Sequence, residues 1–396
     1  MNNKQSLVAD SPSLPGRPTR ARINLDNLAK NFHSIRSLVG DRVAVMAVVK
    51  ADAYGHGALS CAQRLQTEGA EWFGVALPEE AVELRLGGVT QPIVCLGGFW
   101  NNQETLVLRE RIAPVLYHLG MAESLDRAAR AAGTIATVHI KIDTGMNRLG
   151  VRFDAVREFV EQLKKFENLR VDGLLTHFAA ADDADENQFT NEQIAKFETA
   201  VKIFALHGFQ PTYKYLANSP GTLAHRASWG NLVRIGGALY GIGKDIFPLC
   251  ETVADLRPVM QLESEITLLK IVPRGETIGY SRSFTATRDS LIATVPCGYN
   301  DGLPRALSNQ GKVIVNGVYA PFVGRVSMDL IVVDVTDVPK VKLCDRVILL
   351  GEENGLRITA EDLARQSNTI SYEITCGISP RVPRIATKSR VESRTT

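Results

Sequence analysis

Apolar and polar positions fall into two textures along this chain. In the first half, short apolar runs alternate with stretches of helical period. Leu25, Leu28, Phe32, Ile35 and Leu38 recur at helical spacing, which predicts an opening helix. Seven mostly branched apolar residues, 43–49, then stop abruptly at Lys50. Such a near-continuous run marks a strand buried on both faces of a parallel sheet. The same criterion predicts strands over 73–77, 93–96, 112–116, 137–142, 171–178, 213–217 and 232–235. Helices are expected over 58–66, 78–86, 121–132, 153–166 and 191–207; Pro78 followed by Glu79 and Glu80 is a good helix start. Strands separated by crossover helices imply a parallel sheet. Eight strands between 43 and 236 fit an α/β fold of the closed (β/α)8 TIM-barrel type, with an open doubly wound sheet as the alternative.

From about residue 255 the pattern changes to successive strands with Gly, Pro and Asn between them: 259–272, 291–296, 313–315, 321–335 and 346–350, with one short helix over 360–366. This predicts a C-terminal, mainly antiparallel β-domain. Nothing repeats at a fixed period, which excludes a solenoid or propeller. The expected organisation is a flexible tail over 1–20, rich in Pro and Gly, a barrel over 21–254 and a β-domain over 255–396.

Composition changes this picture little. The chain has 396 residues, 45% hydrophobic and 22% charged, with a net charge of +2. Nothing in that balance points to nucleic acid or a membrane surface as a partner. No apolar run is long enough to span a bilayer, and the first residues lack the apolar core of a signal peptide. Six scattered cysteines without a CxxC read as reduced thiols of a cytoplasmic protein. His118, His139, His207 and His225 show no metal-ligand spacing and read as structural or surface residues.

The candidate chemistry gathers at predicted strand ends, the edge where barrels build their sites. Lys50 and Tyr54 follow the first strand; Lys141, Asp143 and Arg148 accompany the fifth; His177 ends the sixth; Asn218 and Ser219 end the seventh; Arg234 precedes Gly236 and Gly237 at the eighth. A partly desolvated lysine has a lowered pKa and an amine free for Schiff-base chemistry. Read alone, Lys50 is rather a strand-end lysine snorkelling to solvent. Asn218-Ser219 with Gly236-Gly237 read as a phosphate cradle, or as two ordinary capped turns.

Taken together, these stretches resemble the pyridoxal 5'-phosphate (PLP)-dependent alanine racemases, a (β/α)8-barrel family. The matching motifs are VVKADAYGHG around Lys50, KIDTGMNRLG around Lys141, THFA around His177, LANS around Ser219 and RIGGALYG around Arg234. In the second half they are IGYSRSF around Tyr280, PCGYNDGLPR around Tyr299, VGRVSMDL around Met328 and ISYEITCGISPRVPR around Tyr372. The resemblance runs from about residue 22 to 384.

It implies an isomerase that interconverts L- and D-alanine in a homodimer with shared active sites. Its role would be to supply D-alanine for peptidoglycan or to consume alanine as a nutrient. Lys50 would hold PLP by a Schiff base. Tyr54, Asn218, Ser219, Gly236, Gly237 and Tyr372 would surround its phosphate, Arg234 would face the pyridine nitrogen with His177 behind it, and Arg148 would lie near the phenolic oxygen. Tyr280 of the partner subunit would be the second base, opposite Lys50. Met328, through its N–H, and Arg148 would meet the substrate carboxylate, and Tyr299 would limit the pocket. Lys141 would be carbamylated; a lysine paired with Asp143 is the alternative. His56, Asp301 and Arg305 match motif positions as supporting or interface residues. The chemistry agrees. Racemisation needs two acid/base groups on opposite faces of Cα, and an arginine, which cannot accept the ring proton, limits the ring as an electron sink.

Some positions depart from the family pattern. Gly237 stands where a branched apolar residue is expected, which suggests looser packing. Ser281-Arg282 replaces glycine and a small residue after Tyr280, and Leu330 is slightly off. A serine or broad-specificity racemase on the same scaffold is therefore the alternative function. A PLP decarboxylase would call for an acid in place of Arg234, and a PLP carrier would not need Tyr280.

Overall fold

The computed structural model describes residues 16–246 and 255–387. Two compact units are present, and they do not follow chain order: one holds 23–260 with 360–377, the other 261–359 with 378–385 and the residues before 23.

The first unit is the barrel. Its strands, in order, are Ala44–Val48, Trp72–Val75, Ile93–Cys95, Ile112–Leu116, Ala136–Asp143, Leu169–Leu175, Tyr213–Tyr215 and Leu232–Ile235. The first seven pair in parallel in that order, and the eighth pairs in parallel with the first, Arg234 beside Met46. Asn231 N–H to Lys214 O (3.1 Å) and Arg234 N–H to Ala217 O (3.0 Å) join the seventh and eighth, so the sheet is nearly closed. The barrel is filled rather than hollow: Met46, Trp72, Val94, Val115, Leu175 and Tyr215 form its inner core. Helices cover the outside. The first, Leu25–Val39, starts where the Asn24 side chain accepts from Asp26 N–H and Asn27 N–H, and buries Leu28, Phe32, Ile35 and Val39. Leu38, expected on that face, is exposed. The expected helix over 153–166 is a 3-10 turn, Phe153–Ala155, followed by Val156–Leu163. A short strand, Val151–Arg152, which the sequence pattern did not indicate, pairs with the end of the fifth strand.

The second unit is antiparallel β. Its larger sheet runs Val318–Pro321, Lys312–Val315, Arg346–Glu353, Met260–Glu265, Arg20–Asn24 and Arg384–Thr387, with Leu356–Ile358 beside Arg346–Glu353. A three-stranded sheet joins Leu268–Val272, Ser290–Val295 and Ile331–Asp334, and a small hairpin joins Thr277–Ile278 to Phe284–Thr285.

Three expectations change here. Two runs expected as single strands are each two: 259–272 is Met260–Glu265 and Leu268–Val272, in different sheets, and 321–335 joins the end of Val318–Pro321 to Ile331–Asp334 through a loop that includes left-handed Gly324. Residues 16–20, expected in a flexible tail, are tied down: Thr19 is buried and bonds to Ser264 Oγ at 2.9 Å, and Arg17 pairs with buried Asp301. The helices Ala360–Ser367 and Ser371–Cys376 group with the barrel rather than with the β-domain expected over 255–396, so the boundary at 254/255 is not the structural one. Residues 1–15 and Cys250 lie outside the described residues. Among the described residues, no helix is long and apolar enough to cross a membrane.

Candidate active site

Lys50 lies just past the first strand and begins an unusual segment. Ala51, Asp52, Ala53 and Tyr54 all have φ between 52° and 55°, a left-handed helical turn without a glycine among them. Each such residue costs about 1–2 kcal/mol, so the surroundings must hold the turn. Ala53 N–H donates to Val49 O (2.9 Å), and Asp52 Oδ1 accepts from Ala58 N–H (2.7 Å). His56 Nδ1 reaches the carbonyls of Ala53 (2.9 Å) and Tyr54 (3.0 Å), so that nitrogen carries the proton. The buried Tyr240 ring stacks on His56 at 4.6 Å, and its hydroxyl donates to Val48 O.

The turn projects Tyr54 toward Gly236 and Gly237. A Cβ on Gly236 would lie 2.3 Å from Tyr54 Oη, and one on Gly237 would lie 2.3 Å from Tyr372 Oη. The Tyr54 and Tyr372 rings meet edge to face at 5.3 Å. Burial holds both phenols well above their ordinary pKa, so both stay donors. Ser219 Oγ accepts from Gly236 N–H at 3.0 Å, which leaves its own O–H to donate. Two phenols, a serine hydroxyl and close-approach glycine backbone make a cradle of donors suited to a phosphate. Packing at Gly237 is thus tight, not loose as expected from its missing side chain. The Asn218 side chain caps the turn Ser219–Ala224 by accepting from Gly221 N–H.

Away from the cradle stands Arg234, 3% exposed. Its Nη2 donates to the carbonyls of Thr176 and Leu216 (both 2.9 Å) and to His177 Nδ1 (3.2 Å). A guanidinium cannot accept, so His177 presents a lone pair at Nδ1. Burial, and then Arg234 itself, hold His177 far below its ordinary pKa and keep it neutral. Among the described residues no carboxylate pairs with Arg234. Its compensation is carbonyl dipoles and the face of Tyr215, 5.3 Å from the guanidinium. Tyr215 in turn bonds to buried His139 Nδ1 at 2.7 Å, and Gly173 makes the room, since a Cβ there would lie 2.2 Å from that nitrogen.

Four cationic side chains, Lys50, Lys141, Arg148 and Arg234, act on one another here. Burial, then Arg148, lowers the Lys50 pKa; Glu80 opposes them. Lys141 is 7% exposed, and burial followed by Arg234 and Arg148 brings its pKa to about 7. Asp143 does not pair with it: Asp143 Oδ1 accepts from Gly145 N–H and Asn147 N–H instead. Arg148 is exposed. A rim this positive suits an anionic ligand.

The remaining expected residues belong to the β unit. Tyr280, 70% exposed, sits in the turn of the small hairpin, where Ser281 and Arg282 are both left-handed. Tyr299 and Met328 are neighbours: Tyr299 N–H donates to Ser327 O and Asn300 N–H to Met328 O. The Met328 N–H has no protein partner among the described residues.

Sequence reasoning missed the left-handed turn, the stacking role of Tyr240 and the His139–Tyr215 pair. The signal for the last was present, as a histidine inside a strand with a glycine on the adjacent one.

Comparison with known proteins agrees with this geometry. Residues 23–244 match the family described as alanine racemase, N-terminal domain, and residues 259–386 match alanine racemase, C-terminal domain. The chain is 41% identical over 372 residues to alanine racemase 2 of Caldanaerobacter subterraneus, covering 93% of this chain and 95% of that protein. It is 42% identical over 368 residues to the alanine racemase of Halothermothrix orenii, covering 93% and 96%. Among solved structures, alanine racemase from Streptomyces lavendulae matches with a TM-score of 0.88 at 34% identity, over 95% of this chain and 98% of that one. Alanine racemase from Bartonella henselae, described with covalently bound pyridoxal phosphate, matches at 0.83 and 31%, over 93% and 99%. The chain therefore belongs to the alanine racemase family of isomerases.

Proposed function

We propose that this protein interconverts L- and D-alanine, with PLP held on Lys50. The reading rests on one observation: a phosphate-shaped cradle and a buried guanidinium without a carboxylate share the rim on which Lys50 stands. Tyr54, Ser219, Gly237 and Tyr372 would hold the phosphate. Arg234 would meet the pyridine nitrogen, and its bonds to Thr176, Leu216 and His177 fix its orientation. When bound, PLP supplies a ring that stabilises the carbanion left by loss of the α-proton. Lys50, its pKa lowered, takes or returns that proton on one face. Tyr280 of the partner subunit does so on the other, in a homodimer whose two sites are shared. Arg148 and the Met328 N–H bind the substrate carboxylate, and Tyr299 limits the side chain. Lys141, with a pKa of about 7, has free amine at neutral pH to combine with CO2, releasing a proton and leaving a carbamate that pairs with Arg148.

The test is deuterium incorporation. Purified holo-protein in deuterated water should label Cα of both alanine enantiomers, and Lys50→Ala should lose the yellow, covalently bound cofactor. Labelling of neither enantiomer would overturn the assignment. Rates with alanine, serine and lysine side by side separate a narrow from a broad pocket.

A further inference from the structure

The Glu80 carboxylate does more than cap its helix. Glu80 is the third residue of Pro78–Leu86, and Oε2 reaches back to Ala76 N–H (2.7 Å) and Leu77 N–H (3.1 Å), as a helix-start acid does. Its other oxygen, Oε1, accepts from Ala51 N–H at 2.6 Å. That N–H belongs to the peptide bond leaving Lys50, and Ala51 is the first of the four left-handed residues. One carboxylate thus joins the ends of the first and second barrel strands at the point where the strained turn begins. The bond is charge-assisted, unlike the carbonyl contacts made by Ala53 and His56 further along the turn.

We infer that Glu80 is a positioning residue for Lys50, clamping the left-handed turn by its first N–H and so fixing where the amine leaves the strand. This rests on the reading of Lys50 as the cofactor lysine and base. The charged and titratable groups acting around Lys50 are Arg148, Arg234, Lys141, His177, Cys376 and Glu80. Glu80 is the carboxylate among them, and it opposes the lowering of the Lys50 pKa by burial and Arg148. Its removal therefore acts on geometry and on basicity together.

The test compares wild-type holoenzyme with Glu80→Ala and Glu80→Gln. Hydrogen exchange read by mass spectrometry over residues 50–57 should accelerate about 10–100-fold in Glu80→Ala, the weight of one charge-assisted hydrogen bond, with distant barrel strands unchanged. kcat should fall about 10–100-fold with KM nearly constant, as expected for a misplaced base. The limb of the pH profile of kcat that reports Lys50, whose amine is free once substrate is bound, should move to lower pH in both variants. Glu80→Gln keeps an acceptor without the charge, so it should recover part of the protection but not the limb. Wild-type exchange over 50–57 in Glu80→Ala, or exchange raised uniformly across the barrel, would overturn the inference. If Glu80→Ala does not fold, Glu80→Gln decides, and wild-type kcat with an unmoved limb sinks the idea. Faster exchange over 50–57 in an enzyme whose wild type labels neither alanine enantiomer would support the clamp and overturn the proposed reaction instead.

Discussion

Gly237 shows how a single position can mislead in sequence and be informative in space. Its missing side chain suggested a loose site, yet the volume is taken by the Tyr372 ring, with Cε1 and Oη each 2.3 Å from where a Cβ would stand. Restoring a branched residue must push Tyr372 out of the cradle. Overpacking of this kind costs about 1–3 kcal/mol. Gly237→Ile should therefore weaken PLP binding about 5–150-fold, read by absorbance titration of the apo-protein. Unchanged affinity would remove Tyr372 from the phosphate site. Arg234 makes the opposite point. Its place at a strand end marked it as a candidate, but its hold on three backbone carbonyls and His177 was not legible, because those acceptors come from the ends of two other strands, the sixth and the seventh.

At the scale of elements, the left-handed turn after Lys50 depends on its neighbours. Gly55 follows it with φ +83°, and a Cβ there would lie 2.0 Å from Thr375 O, in the helix Ser371–Cys376 that carries Tyr372. Asp245 anchors the start of that helix through Ser371 N–H (2.8 Å) and Ser371 Oγ (2.7 Å). The turn and the helix are thus seated on each other. Gly55→Ala adds both a left-handed penalty and a clash with backbone, together about 2–5 kcal/mol. Urea unfolding should show that loss with PLP affinity reduced as well. A variant as stable as wild type would mean that turn and helix do not pack in this way. The strands and helices themselves were largely legible, since apolar runs bounded by Gly, Pro and acids report local periodicity. The left-handed turn was not, because Ala-Asp-Ala-Tyr carries no glycine to announce it.

For the whole molecule, buried Lys141 links site chemistry to stability. Its ordinary pKa of 10.5 falls to about 7 on folding, mainly through burial. Between those two values the unfolded chain holds a proton that the folded chain has released, so stability rises with pH across that window. Below about 7 both states are protonated and the burial penalty is constant. In bicarbonate-free buffer, the unfolding free energy of wild type relative to Lys141→Met should climb from pH 7 to 10. Added bicarbonate should raise that difference and carry the climb below pH 7, because a carbamate, like the free amine, lacks the proton that the unfolded lysine still holds. A difference that is flat without bicarbonate would show that Lys141 does not lose its proton on folding.

Sequence alone determined the alternation that makes a barrel, the lysine at the end of its first strand, the change of texture near residue 255 and the motifs that carry the family. These are local patterns, and local periodicity is written in consecutive residues. Tertiary structure decided what depends on residues far apart in the chain: the return of residues 360–377 to the barrel unit, the split of 321–335 into two strands, the tight seat of Tyr372 on Gly237 and the left-handed turn. That turn is stable only because acceptors and rings from other elements meet it, and Glu80, 29 residues beyond Ala51, is the clearest of them.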